Sequence, residues 1–304
     1  MTPNNPDGLI LLNKPPGLTS FDALRGIKRA LGTGKVGHTG TLDKFAEGLL
    51  LVLTGRALKL SQWFTHCDKQ YEGTICFGAE TETLDPEGAV IANAPLPLLS
   101  AVEQALSQFL GKTEQSPPAY SAIHINGERA SALARRGEAL EMRKRPVTIH
   151  RLELLSWEPP HAKIFVHCSS GTYIRSLARD IALAAGSRAH LTALLRTQVG
   201  GFKVQGAVSR EQLAVSSEHY EREPPLPFLH PIDKSVIEYL NIPCLDVAPP
   251  DVAKIIQGKP LAQIFKDVPA GVYQTAAIFS EGEFIAIINK QDNKWNYGYV
   301  YART

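Results

Sequence analysis

The chain has 304 residues, of which 44% are hydrophobic and 20% are charged. This composition is typical of a globular protein and excludes intrinsic disorder, and the length predicts two domains or one large domain with an appendage. The formal net charge of +2 excludes a strong overall field, so a nucleic-acid partner would have to bind at local basic patches.

The predicted elements of the N-terminal half begin with an apolar strand at residues 9–12. Thr19 then opens a helix, because Asp22 follows at the spacing of a capping box and apolar residues recur at helical intervals. Three further elements follow from the same kinds of pattern: a helix around residues 57–64, a strand at 71–77, and a helix capped by Ser100 and Glu103.

In the second half, strands are predicted at residues 147–157 and 163–168. A helix follows, with an apolar stripe that starts at Ile174 and a stop at Gly186. Because strands and helices are interspersed without a regular βαβ order, we predict an α+β fold built on a mixed or antiparallel sheet.

The composition changes at residues 221–231, EREPPLPFLHP, where four prolines predict a linker. Short predicted strands follow it at residues 272–279, 284–289 and 297–301. They indicate a small β-barrel of about 65 residues, near the lower limit for an independent core. We therefore divide the chain into a domain of residues 1–235 and a domain of residues 236–304.

The cysteines and the N-terminus indicate a cytoplasmic protein. No CxxC pair occurs among the four cysteines, which favours reduced thiols over a disulfide framework; they are Cys67, Cys76, Cys168 and Cys244. No apolar run approaches the roughly 18 residues of a membrane-spanning helix. The N-terminal MTPNNPDG lacks the features of a signal peptide. We therefore expect no membrane partner.

Two apparent ligand motifs fail on spacing. The stretch GTGK at residues 32–35 lacks both the earlier glycine and the following hydroxyl residue of a phosphate-binding loop. In the pairs His66–Cys67 and His167–Cys168, the two residues are too close in sequence to turn the chain around a zinc ion. We therefore predict no metal.

Residues 129–145 form a basic stretch, with six cations against two acids. Such a run is either an ordinary solvated face or a surface whose lysines and arginines release counterions from an RNA backbone. The sequence alone leaves both interpretations open.

The loop at residues 34–48, GKVGHTGTLDKFAEG, is rich in glycine and carries Asp43 with no serine or cysteine near it. Glycine permits positive φ and a close approach of the backbone to a ligand, so this loop could present Asp43 rigidly to a substrate. The alternative is that Asp43 only caps the following turn.

Part of this loop, GHTGTLDKFAEG, resembles the signature of the TruB family, the tRNA pseudouridine synthases that isomerise the uridine of the T arm. Five further stretches resemble motifs of that family in the same order: LNKPPGLTS (12–20), KQYEGTICFGAETETLDPEG (69–88), QSPPAYSAIHINGERA (115–130), CSSGTYIRSLARDIA (168–182) and LLRTQVGGF (194–202). The C-terminal segment resembles a PUA-type RNA-binding barrel.

The resemblance implies a role for each matching residue. It makes Asp43 the nucleophile, Tyr71 the side chain that stacks on the target base, and Arg175 the partner of the aspartate. His38 falls on the histidine that enters the space left by the flipped base. Further substrate-binding positions fall on Lys14, Tyr173 and Leu195.

The implied reaction explains why a single acid can suffice. Pseudouridine is an isomer of uridine, so the reaction needs a nucleophile or base but no cofactor. Burial tends to protonate a carboxylate, and a bidentate arginine opposes this by favouring the charged form. We therefore predict that Arg175 keeps Asp43 ionised.

The sequence departs from the family pattern at Lys44, Glu47, His124 and Ser131, which puts the details of RNA contact in doubt. The implied partner is the T arm of tRNA, bound by a monomer that requires no protein partner. Two alternatives stay open: an RNA-binding folding chaperone for tRNA, and a related synthase that acts on another RNA.

Overall fold

The computed structural model describes residues 6–138, 140–213, 227–265, 273–292 and 294–301. The strands are β1 (Gly8–Lys14), β2 (Val36–His38), β3 (Glu47–Thr54), β4 (Lys69–Phe77), β5 (Ala79–Thr81), β6 (Val90–Asn93), β7 (Gly111–Gln115), β8 (His124–Ile125), β9 (Glu128–Arg129), β10 (Arg145–Glu158), β11 (His161–Cys168), β12 (Ala189–Val199), β13 (Phe202–Lys203), β14 (Cys244–Asp246), β15 (Thr275–Ser280), β16 (Glu283–Gln291) and β17 (Lys294–Val300). The α-helices with both ends in these ranges are α1 (Ser20–Leu31), α2 (Ser61–Thr65), α3 (Leu99–Gln108), α4 (Ala130–Arg135), α5 (Ile174–Ala184), α6 (Lys234–Glu238) and α7 (Pro249–Ile256).

One large sheet organises the N-terminal two thirds of the chain, with the strand order β1-β3-β12-β4-β11-β10-β7. Its strand pairs are antiparallel apart from the short parallel pair of β12 with β3, where Leu195 lies opposite Glu47 and Arg196 opposite Gly48. The predicted α+β fold on a mixed, mainly antiparallel sheet is therefore confirmed.

The sheet buries one face under α3 and α5. Along β4, buried and half-buried residues alternate, so that Tyr71 and Ile75 join Ile164 and Val166 of β11 and Ile181 of α5 in a single core. This packing brings the N-terminal end of α5 close to Tyr71. Residues near the N-terminal end of β4 and residues in the first turn of α5 can therefore belong to one site.

Helix α1 confirms one predicted cap. The side chain of Thr19 accepts a hydrogen bond from the backbone N–H of Asp22 at 3.1 Å. The predicted cap of α3 is wrong, because the apolar Leu98 occupies the N-cap position and provides no side-chain bond. Ser100 therefore falls inside the first turn of that helix.

The C-terminal part has a four-stranded sheet in the order β14-β15-β16-β17. This small sheet is consistent with the predicted PUA-like domain, and no closed barrel is found within the described ranges. Strand β14 lies parallel to β15, and α7 lies between them in the chain. Strands β15, β16 and β17 pair antiparallel in chain order, as consecutive hairpins do.

The predicted boundary after residue 235 falls inside α6. Val236 and Ile237 of this helix are buried in the same core as Leu9 of β1 and Phe279 of β15. The two predicted domains therefore share one hydrophobic core. The division of the chain at this boundary stays a prediction. Of the predicted linker, residues 221–226 lie outside the described residues. None of the helices that the structure describes has the length and apolarity needed to cross a membrane.

Candidate active site

The loop that carries Asp43 joins β2 to β3 and is fastened to α1. The Ser20 hydroxyl donates to the Leu42 carbonyl at 3.0 Å and accepts from the Leu42 N–H at 2.8 Å. At Gly48, φ is +102° and an added Cβ would lie 2.4 Å from the Arg196 carbonyl oxygen. Glycine is therefore required there for β3 to pass β12, and the fixed loop points Asp43 in one direction.

Arg175 stands in the first turn of α5 and is 4% exposed. Its Nη2 donates to Asp43 Oδ1 at 2.8 Å and to the Tyr120 carbonyl at 3.0 Å. The start of the helix is itself held, because the Gln115 amide donates to the Tyr173 carbonyl at 3.1 Å and accepts from the Tyr173 N–H at 2.8 Å. The predicted partnership of Asp43 and Arg175 is present.

A second carboxylate, Asp85, shares the same guanidinium. Arg175 Nη1 lies 3.2 Å from Asp85 Oδ2 and donates to the Thr83 carbonyl at 2.7 Å. The other oxygen of Asp85 accepts from the Thr83 hydroxyl at 2.5 Å and from the Glu87 N–H at 3.0 Å. Sequence reasoning missed this role, because an acid in the turn TETLDPEG signals only a local turn.

Burial and the charge of one cation act in opposite directions on the pKa of the Asp43 carboxyl. Desolvation raises the pKa of the Asp43 carboxyl, the charge of Arg175 opposes this, and the nearby charges of Asp85 and Glu87 add to the rise. Protein atoms surround the carboxylate closely, although 34% of its side-chain surface is open to the cavity. The carboxylate is thus accessible to a substrate, and its pKa lies above the usual value of an aspartate.

Tyr71 lines the same cavity and is 7% exposed. Burial raises the pKa of its phenol, while the charge of Arg196 and a hydrogen bond from it act in the opposite direction. Arg196 lies directly across from Tyr71 in the pairing of β12 with β4. Its guanidinium is held by the carbonyls of Leu49 at 2.7 Å and Gly40 at 3.1 Å.

The cavity has a volume of about 460 Å³, and Asp43, Tyr71, Tyr173 and Arg175 all line it. This size is within the range of small-ligand sites, and one nucleotide base fits inside it. Four residues predicted separately along the sequence therefore face one space. An adjoining cleft of about 530 Å³ shares Asp43 and Arg175 with the cavity and is lined by His38 as well.

The structure places the other predicted site residues elsewhere. His38 lies in the adjoining cleft, where burial and the charge of Arg196 lower the pKa of its ring. Leu195 does not line the cavity, because β12 presents its neighbours Leu194 and Arg196 to that side. Leu195 instead packs against Gly48, where an added Cβ would meet its Cδ1 at 2.8 Å. The role of Leu195 as a substrate-binding residue stays a prediction.

Lys14 is fully buried beneath the site and does not line the cavity. Its Nζ donates to the carbonyls of Pro15 at 2.9 Å and Leu18 at 2.8 Å, and reaches the carbonyl of Lys44 at 3.5 Å. Burial lowers the pKa of Lys14 to about 8, although the charge of Asp43 opposes the shift. Lys14 therefore braces the loop beside Asp43.

Replacing Lys14 by methionine is expected to lower the free energy of unfolding by about 1–3 kcal/mol, because part-buried carbonyls lose their donor. Urea denaturation followed by circular dichroism measures the change. Lys59→Met, at an exposed lysine, is the matched control and should leave the stability close to that of the wild type. Equal stability of the Lys14 variant and the wild type would contradict the bracing role.

Solved structures with the same fold support this description of the molecule. A chain of the crystal structure of a Cbf5–Nop10–Gar1 complex matches with a TM-score of 0.72 and 25% sequence identity, over 93% of this chain and 78% of that chain. A chain of the crystal structure of an archaeal box H/ACA sRNP Nop10–Cbf5 complex matches with a TM-score of 0.67 and 22% identity, over 97% and 85% of the two chains. The large sheet and its C-terminal companion thus recur together in other proteins.

Family comparisons agree with the motifs. Residues 28–174 match the model of the TruB family pseudouridylate synthase N-terminal domain, and residues 175–237 match that of the tRNA pseudouridylate synthase B C-terminal domain. The tRNA pseudouridine synthase B of Aromatoleum aromaticum is 41% identical over 92% of this chain and 88% of its own. That of Bordetella avium is 47% identical over 70% and 88%. The chain belongs to the TruB family of pseudouridylate synthases.

Proposed function

We propose that this enzyme isomerises the T-loop uridine of tRNA, position 55, to pseudouridine. The observation that carries the proposal is the 2.8 Å pair of Asp43 with Arg175, at a cavity that Tyr71 also lines. Relatives named tRNA pseudouridine synthase B support the choice of tRNA as substrate. Bonds break and form within a single nucleotide, so the reaction consumes no cofactor.

The residues of the cavity take complementary roles in this reaction. The target uracil leaves its stack at a cost of a few kcal/mol, and stacking on Tyr71 returns roughly 1–3 kcal/mol. Asp43 then attacks or deprotonates the flipped nucleotide, and Arg175 holds the carboxylate in the charged form and in one orientation. Tyr173, at the start of α5, forms part of the wall beside the base.

Basic side chains beside the cavity support contact with an RNA backbone. Arg129 and Arg135 belong to the basic stretch and line the adjoining cleft. Lys44, the residue after Asp43, is about half exposed and lies 3.0 Å from a carboxylate oxygen of Glu87. Exposed cations at the rim release counterions when phosphates approach, so they hold the T arm while the base enters.

We assign catalysis to residues 1–235 and additional RNA binding to residues 236–304. The enzyme acts in the cytoplasm as a monomer without a protein partner. Sedimentation of the protein with and without tRNA tests the monomer, since a second copy in the complex would contradict it.

The decisive experiment uses the purified full-length protein and an unmodified tRNA transcript. We expect chemical mapping to find pseudouridine at the T-loop uridine. A transcript with cytidine at that position should bind with similar affinity and gain no pseudouridine. Pseudouridine at other positions only, or in a ribosomal RNA transcript but not in tRNA, would favour a related synthase with another substrate.

The rate of pseudouridine formation is expected to fall on acidification, with a midpoint above pH 3.8, the usual pKa of an aspartate. The site raises the pKa of Asp43, so the required carboxylate is lost at a higher pH than it would be in an exposed acid. Single-turnover rates on bound tRNA measure this, with circular dichroism and tRNA binding checked at each pH. A constant rate down to pH 3.8 would exclude Asp43 as the ionised catalyst.

A further inference from the structure

Three potential metal ligands meet on the face of the large sheet opposite Tyr71. The ligand atoms of Asp68, His150 and His167 all lie within 4.8 Å of one another. Asp68 Oδ2 lies 3.1 Å from His150 Nε2 and 3.9 Å from His167 Nε2. The two imidazole rings are 4.8 Å apart between centroids, and both present Nε2 to the same carboxylate oxygen of Asp68.

Three adjacent segments of the sheet hold these residues in place. Asp68 directly precedes β4, and its carbonyl accepts a hydrogen bond from the Gly200 N–H at 2.9 Å. His167 of β11 lies opposite Gln70 of β4. His150 of β10 lies at the irregularity where the pairing with β11 shifts register. The backbone therefore fixes the ligand positions before any ion binds.

The cluster is separate from the Asp43 cavity. Asp68, Gln70 and His167 line a different cavity of about 780 Å³, between the large sheet and the C-terminal part. Lys69 and Tyr71, which alternate with these residues along β4, line the Asp43 cavity instead. An ion on this face would approach neither the reacting base nor Asp43.

We propose that Asp68, His150 and His167 bind one divalent transition-metal ion of the zinc class. Imidazole nitrogen and carboxylate oxygen are ligands that zinc accepts, and bonds of about 2.0–2.1 Å to a tetrahedral ion put donor atoms about 3.3 Å apart. The 3.1 Å pair already has this spacing, and the 3.9 Å pair needs a small rotation of one side chain. Three protein ligands leave the fourth position open to water or to a phosphate oxygen of bound RNA.

The surroundings favour a cation at this point. Arg151, the nearest arginine in sequence, is held by both carboxylate oxygens of Glu153 at 2.6 Å and 2.8 Å, so its charge is largely compensated. Cys168 is no ligand, because its buried thiol donates instead to the Lys69 carbonyl.

The site could not be found from spacing in the sequence. In the sequence, residue 68 is 82 positions from residue 150, and residue 150 is 17 positions from residue 167. Zinc motifs are recognised by ligands a few residues apart. Here the pairing of β10 with β11 and of β11 with β4 brings the ligands together.

The test is a titration of the full-length protein, first freed of metal by a chelator and then dialysed, with Co²⁺ and with Zn²⁺. We expect one equivalent to bind and Co²⁺ to give the intense visible absorption of a low-coordinate site. Asp68→Asn, His150→Ala and His167→Ala should each weaken binding by at least the roughly 10–100-fold that loss of an outer ligand contact costs. Circular dichroism shows whether each variant is folded.

His161→Ala, at an exposed histidine on the same strand as His167, is the matched control and should bind as the wild type does. The proposal is overturned if the wild type binds no stoichiometric ion. It is also overturned if the folded Asp68, His150 and His167 variants retain its affinity, or if His161→Ala loses as much. Pseudouridine mapping on the same variants keeps this outcome separate from the proposed catalysis, which involves none of the three ligands.

Discussion

Asp43→Asn is expected to abolish pseudouridine formation while leaving tRNA binding intact. The amide keeps the size of the side chain and one oxygen for Arg175, but it can neither attack nor deprotonate the flipped nucleotide. We expect the single-turnover rate on tRNA to fall by about 10⁴-fold or more, the upper range of what a positioned acid or base contributes. Rates on saturating tRNA, together with binding measured by filter retention, test both parts of this expectation.

The same substitution is expected to leave the fold as stable as before. The folded protein raises the pKa of Asp43. An acid with a raised folded-state pKa adds stability below its unfolded-state pKa and loses that contribution as the pH rises through the folded-state value. At neutral pH the ionised carboxylate therefore costs stability, and the neutral amide removes this cost while Asp85 still compensates Arg175. Thermal unfolding of the variant should begin no lower than that of the wild type.

Glu103→Gln is the matched control, because it makes the same carboxylate-to-amide change at an exposed position of α3. It should retain wild-type rates. Substantial product from Asp43→Asn would reject Asp43 as the catalytic acid. A variant that is inactive yet still speeds the folding of tRNA as the wild type does would add a chaperone role, and a wild type that forms no product would leave the chaperone alternative in place.

The regular parts of the fold could be predicted because single stretches carry their own signals. The cap at Thr19 is local, and so is the apolar run at residues 9–12 that predicts β1. Strand β12 carries no such signal, although it lies at the centre of the sheet. Its pairing with β4 shifts register twice, so its buried residues do not alternate in the simple pattern that indicates a strand.

The site could be predicted where a stretch resembles a motif of the TruB family, because the residues alone left Asp43 open between presentation to a substrate and capping of a turn. A lone acid in a glycine-rich loop, an aromatic strand residue and an arginine at a helix start could be named from motifs, and Asp43, Tyr71 and Arg175 do share a cavity. Asp85 and Arg196 could not be named, since their importance lies in contacts with residues far away in the chain. Leu194 and Arg196 line the cavity and Leu195 between them does not, because one residue along a strand exchanges one face of the sheet for the other.

Arg175→Met is expected to lower the free energy of unfolding by about 3–5 kcal/mol, as removal of one partner of a buried ion pair does. Arg175 is 4% exposed and compensates two carboxylates, with 2.8 Å to Asp43 and 3.2 Å to Asp85. Without it, the two acids face each other and the pKa of Asp43 rises further, so the carboxylate needed for turnover is lost as well. Urea denaturation and single-turnover rates measure the two effects.

Adding Asp85→Asn to Arg175→Met separates the two effects. The double variant removes the repulsion between the acids, so it should regain part of the lost stability, while turnover stays low because Asp43 still lacks its cation. Arg151→Met is the control: its pair with Glu153 is 61% exposed on the arginine side and 41% on the glutamate side, and such surface pairs contribute about 0–1 kcal/mol. Wild-type turnover in Arg175→Met would show that Asp43 needs no guanidinium. A double variant no more stable than the single one would show that Asp85 and Asp43 do not repel each other, and that Arg175 acts on each acid alone.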